Sequence, residues 1–216
     1  MREFHAQLAA IGLRAVEKYG FVLAGGYAIS ANGFGDRLSM DVDLFTNSFD
    51  PARFADALAD LRAGFAAAGF QVEDKTLAST FADLVVTDPT TGEYSPLQLG
   101  ANYREFPPTR IALGPVLDVR DAVAGKISAL WSRGYARDFI DIDTVIASGR
   151  FTRDEVLAIG DQQEALPMDR EILAGQFRSA ARWDVQEYQG YGIDSARRDR
   201  IIAAFAQWAD EVDPSV

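Results

Sequence analysis

The chain has no cysteine and a single histidine among its 216 residues. Without thiols, disulfides and thiolate metal sites are excluded, and a cytoplasmic setting is the expectation. With His5 alone, near the start of an N-terminal helix, histidine-based catalysis is not expected. No apolar run approaches the roughly 20 residues that span a bilayer. Met1-Arg2-Glu3-Phe4-His5 also lacks the apolar centre of a signal peptide, so no membrane partner is expected. Basic charge is scarce too. Lys and Arg number 21 against 32 Asp and Glu, a net charge of −11. That balance argues against broad electrostatic binding to nucleic acid and leaves room for a local basic groove or a basic partner. What is present is ordinary for a folded protein, with 48% hydrophobic and 25% charged residues, enough to bury a real core in one large or two small domains.

Apolar periodicity divides the chain near Gly114-Pro115. Before it, helices are expected over residues 3–19, 27–32 and from Pro51 to Gly69, where Asp50-Pro51 marks a helix start. Strands are expected over 21–24, 40–45, 71–76, 80–87 and 96–103. After it, only helical patterns occur, over 118–133, 136–148, 152–165, 168–188 and 194–212, the last with Asp194 as N-cap. The fold class expected is α+β: a mixed β-sheet with flanking helices over 1–115, followed by a helical half over 116–216.

The most informative stretch runs from Gly25 to Phe45. The buried-strand pattern Phe21-Val22-Leu23-Ala24 ends in Gly25-Gly26, where the backbone can approach a ligand closely. Met40-Asp41-Val42-Asp43-Leu44-Phe45 alternates acid and apolar residues, so Asp41 and Asp43 share one face of a strand. Ser39, two residues earlier, points the same way. Adjacent carboxylates repel unless a cation lies between them, and magnesium on a nucleotide takes one or two carboxylates plus phosphate oxygens. An edge strand with a solvated acidic face is the other reading of Asp-x-Asp alone; the upstream Gly-Gly turns the balance toward a metal and phosphate site.

These residues resemble the nucleotidyltransferase superfamily, and within it the AbiEii/AbiGii-type toxin branch. That branch pairs a Gly-Gly or Gly-Ser turn with Arg-x-Ser/Thr-x-Asp-x-Asp, here Arg37-Leu38-Ser39-Met40-Asp41-Val42-Asp43. It also has a later helical lysine and an Arg-Asp-x-x-Asp segment, similar to Lys126 and to Arg137-Asp138-Phe139-Ile140-Asp141. The resemblance implies an enzyme that moves an NMP from an NTP, such as ATP, to an acceptor hydroxyl with release of pyrophosphate. Asp41 and Asp43 would hold Mg2+. Gly25, Gly26, Arg37, Ser39 and Lys126 would bind the nucleotide, with Lys126 reaching the same cleft. The acceptor would be RNA (tRNA), a protein or a small molecule, and a cognate antitoxin would be a partner. An antibiotic-type small-molecule transferase and a non-catalytic nucleotide-binding module stand as alternatives.

One departure bears on the mechanism. Many nucleotidyltransferases carry a third carboxylate on a later strand, whereas Pro96–Ala101 offers Gln98 or Gly100 there. Asp138 is the expected substitute as general base, with Asp83 as a further candidate. Arg137 and Asp141 have i,i+4 spacing, which also makes them a helix salt bridge.

Overall fold

The computed structural model describes residues 1–35 and 37–213, and the chain forms two compact units, Met1–Val119 and Arg120–Val216.

The first unit is a seven-stranded mixed sheet, β1 Val22–Leu23, β2 Val42–Thr46, β3 Gln71–Ala78, β4 Phe81–Thr87, β5 Tyr94–Ala101, β6 Thr109–Ile111 and β7 Gly114–Val116, in the order β3-β4-β5-β2-β1-β7-β6. β2 runs parallel to β5 and β1 parallel to β7, and the other pairings are antiparallel. Period-2 alternation turns Val42 and Leu44, Ala82, Leu84 and Val86, and Leu97 and Leu99 into the core. Helices α1 (Glu3–Val16) and α3 (Pro51–Ala67) supply its other wall through Phe4, Leu8, Leu13 and Val16, and through Phe54, Leu61 and Phe65. A Cβ on Gly12 would lie 2.8 Å from the Leu44 Cδ1, so α1 rests directly on β2. Asp50 caps α3, its Oδ1 accepting from Ala52 N at 2.9 Å.

His5 is buried on that α1 face at 1% exposure. Burial, reinforced by the Arg2 charge, pushes its imidazole from the ordinary 6.5 down to about 4. Between those values the unfolded chain binds a proton at His5 that the folded chain does not. The associated stability is therefore complete above pH 6.5 and lost as pH falls toward 4. Urea titrations of wild type and His5→Asn between pH 7 and 4.5 should show the wild-type advantage shrinking with acid; a constant difference would contradict it.

The second unit is helical: α4 Val119–Ser132 enters it, followed by α5 Ala136–Ala147, α6 Arg153–Gln163, α7 Arg170–Arg178, α8 Val185–Gly190 and α9 Ser195–Val212. Its core holds an aromatic group in which Phe139 meets Phe205 edge-on at 4.9 Å and Phe177 lies 4.5 Å from Trp208. Asp194 caps α9 as expected, accepting from Arg197 N at 2.7 Å. The single helix expected over 168–188 is instead α7, a 3₁₀ turn at Ser179–Arg182, and α8. The break has one long-range and one local cause. Trp183 is extended and its indole N–H donates to the Gly134 carbonyl at 2.8 Å, while Asp184 caps α8 through Glu187 N. In the first unit β6 and β7 were unexpected; each is only three residues long, too short to carry a period.

Candidate active site

β1 pairs with β2 through Val22↔Phe45 and Leu23↔Leu44, and Ala24 N donates to the Asp43 carbonyl at 2.9 Å. The Gly-Gly turn therefore lies directly beside Asp43. Gly25 has φ +58°, and a Cβ there would stand 1.7 Å from the Asp43 Oδ2. At Gly26 a Cβ would meet the Ser39 Oγ and an Arg37 guanidinium nitrogen, each at 2.8 Å. Glycine is needed at both positions because a carboxylate, a hydroxyl and a guanidinium converge on the turn. The Ser39 hydroxyl in turn donates to the Asp41 Oδ1 at 3.0 Å. Leu38 and Met40 alternate outward at 51% and 48% exposure, whereas Ser39 and Asp43 are buried and Asp41 is half-buried. Gly25, Gly26, Arg37, Ser39, Asp41 and Asp43 thus form one constellation.

Strand register extends this face sideways. Asp43 pairs with Gln98 on β5, and Gln98 with Asp83 on β4. Residues in register on neighbouring strands share a face, so Asp43, Gln98 and Asp83 form a row. At two strand spacings, the Asp83 backbone lies roughly 10 Å from that of Asp43. The next row is Phe45, Gly100 and Phe81, where the Phe45 ring would be 3.3 Å from a Cβ on Gly100. The Gln98 amide, not a third carboxylate, thus stands beside Asp43 on β5. Among the described residues, no group of three or more His, Cys, Asp or Glu forms a metal cluster. The chemistry of two carboxylates suits magnesium, which binds through one or two carboxylates plus substrate phosphates.

In the second unit Lys126 is itself nearly buried, at 9% side-chain exposure, and ion-paired. Its Nζ lies 2.8 Å from the Asp141 Oδ2 and 3.9 Å from the Asp138 Oδ1. Asp138 has 0% exposure; its Oδ2 accepts from Arg133 Nε at 3.2 Å and from Tyr135 N at 3.3 Å, completing the cap of α5, while its Oδ1 has no hydrogen-bond partner. The sequence offers Asp141 as the closing acid of the Arg-Asp-x-x-Asp segment or as an i,i+4 partner of Arg137, not as a partner of Lys126. The signal for its role was available: it follows Asp138 by three residues and so shares a helix face with it. The Arg137 guanidinium lies over the Tyr135 ring at 5.7 Å.

A mixed sheet whose Gly-Gly turn abuts an Asp-x-Asp strand defines a nucleotidyltransferase. The chain belongs to the nucleotidyl transferase AbiEii toxin family of type IV toxin–antitoxin systems, whose model matches residues 8–204. Its fold is similar to that of MenT4, a nucleotidyltransferase toxin from Mycobacterium tuberculosis, with TM-score 0.63 and 14% identity over 97% of this chain and 84% of that one. A Helicobacter pylori protein assigned as a nucleotidyltransferase matches with TM-score 0.60 and 16% identity, over 99% of this chain and 96% of that one. Among curated proteins, no sequence matches. Family membership makes this a toxin-type nucleotidyltransferase and implies an NTP substrate and an antitoxin partner. Among the described residues, no helix is long and apolar enough to cross a membrane.

Proposed function

We propose that the protein transfers an NMP from a magnesium-bound NTP to an acceptor hydroxyl. The acceptor oxygen bonds to the α-phosphorus, the bond from that phosphorus to the bridging oxygen breaks, and pyrophosphate leaves while the acceptor loses its proton. The observation that carries this reading is the convergence of the Asp43 carboxylate, Ser39 and Arg37 on Gly25-Gly26. Asp41 and Asp43 are the residues that would hold magnesium. The ion, when bound, neutralises phosphate charge as the α-phosphorus is attacked. The glycine turn admits the phosphates, and Ser39 and Arg37 donate to their oxygens.

The acceptor proton needs a destination. Full burial and two existing donors favour Asp138 as a group that, with Asp141, holds Lys126. Asp83, half-buried on the face that carries Asp43, is the carboxylate better suited to act as base. A general base contributes about 10²–10⁴-fold. Asp83→Asn should therefore slow transfer by that factor with NTP affinity kept, whereas the same signature in Asp138→Asn would return the base role to Asp138.

Incubation with each radiolabelled NTP, magnesium and either total RNA, a cell protein extract or aminoglycosides tests the reading. Label transferred to RNA or protein supports a toxin acting on a macromolecule. Label on an aminoglycoside supports small-molecule modification, which the net charge of −11 favours. NTP binding without any transfer would leave a nucleotide-binding module, the reading that Gln98 in place of an acid supports.

A further inference from the structure

The sole histidine lies at the centre of a buried hydrogen-bond chain that ends at the candidate site. The His5 Nε2 is 3.1 Å from an Arg2 guanidinium nitrogen and 3.0 Å from the Ser95 Oγ. Its Nδ1 is 2.6 Å from the Tyr27 hydroxyl, which lies 3.4 Å from the Ser39 carbonyl. Arginine can only donate, so Nε2 must be the acceptor and Nδ1 must carry the imidazole proton. Nδ1–H therefore donates to the Tyr27 oxygen, and the Tyr27 proton is left to point at Ser39. The direction of the whole chain follows from one obligate donor at its outer end.

Four parts of the first unit join in this chain: α1 through His5, α2 (Gly25–Ala31) through Tyr27 and β5 through Ser95 meet at the imidazole, and the Arg37–Asp41 segment is reached through the Tyr27 hydroxyl on the Ser39 carbonyl. The described part of that last segment belongs to no helix and pairs with no strand, although Ser39 must stay within contact of Gly26 and hold Asp41. Two contacts locate Ser39 from either side, its hydroxyl on Asp41 and its carbonyl under Tyr27. His5 and Tyr27 are also packed edge-to-face, with ring centroids 5.5 Å apart, which restricts the rotation of both.

We infer that His5 and Tyr27 are positioning residues that act as one unit to hold the Ser39–Asp41 backbone against the Gly-Gly turn in the conformation that receives nucleotide. This rests on the nucleotide-binding reading of the site, so one readout is chosen that needs no nucleotide. In the free protein, Tyr27→Phe should speed hydrogen exchange at the amides of Met40, Asp41 and Val42 about tenfold, with α3 and β4 unaffected. Calorimetric titration with magnesium ATP, GTP, CTP and UTP should show a similar fall in affinity for whichever wild type binds. His5→Leu should match Tyr27→Phe, and the double variant should be no worse than either, because members of one network are not additive. His5→Asn, whose amide N–H can stand in for Nδ1–H, should restore near-normal values. Wild-type exchange at residues 40–42 in Tyr27→Phe overturns the inference, including where the urea midpoint falls, since that pattern means packing alone. A wild type that binds no NTP overturns the function reading, while the exchange result still decides for or against the positioning unit.

Discussion

Asp41→Asn is expected to abolish measurable NMP transfer and to weaken binding of magnesium NTP, with the fold retained. Losing an outer-shell partner of a metal typically costs about 10–100-fold, and the loss of a direct carboxylate ligand should exceed that. The asparagine keeps the acceptor for the Ser39 hydroxyl, now 3.0 Å from the aspartate oxygen, so the local hydrogen bond survives while the charge is gone. Gly25→Ala should give the same loss by another route. At φ +58° a non-glycine residue is strained by roughly 1–2 kcal/mol. Its methyl would also displace the Asp43 carboxylate, 1.7 Å away, from the site. Single-turnover assays with the responding NTP, alongside urea titrations, check both. Asp41→Asn with intact magnesium-NTP affinity and transfer would remove the metal role from this strand.

Lys126→Met should have the largest effect on stability. The lysine is flanked by Asp141 at 2.8 Å and Asp138 at 3.9 Å, with side-chain exposures of 9%, 3% and 0%. Removing one partner of a buried ion pair costs about 3–5 kcal/mol, because the remaining charge is left without compensation. Two buried carboxylates would lose the lysine they share. The double variant Lys126→Met with Asp141→Asn should recover a large part of that loss, since a neutral pair removes the stranded charge. Chemical denaturation measures the cycle. If Lys126→Met were as stable as wild type, the ion group would not be structural. If it were destabilised yet transferred NMP at the normal rate, Lys126 would have no part in handling phosphates.

Much of the architecture was legible because it rests on local rules. The helix starts at Pro51 and Asp194 follow from caps whose side chains satisfy their own backbone amides. The core faces of β2, β4 and β5 follow from period-2 alternation. The juxtaposition of Gly25-Gly26 with Asp43 follows from a nearly contiguous motif whose glycines close β1 and whose second acid lies on β2, while Asp41 stands just before β2 and is tied to Ser39. The interruption at Trp183 was not legible, since it depends on the carbonyl of Gly134, 49 residues away in the chain.

What the sequence determined by itself, then, was the α+β class, the glycine turn, the acid–apolar alternation around Asp43 and the family resemblance. Each depends on neighbours within a few residues. Tertiary structure alone decided three things. It set Asp83 in the row of Asp43, because β4 and β5 register is a property of the paired strands. It joined Lys126 to Asp141, because side chains 15 positions apart meet only when α4 and α5 pack. And it tied His5 to Tyr27 and Ser39, because an imidazole acquires partners and a direction of donation only once other elements enclose it.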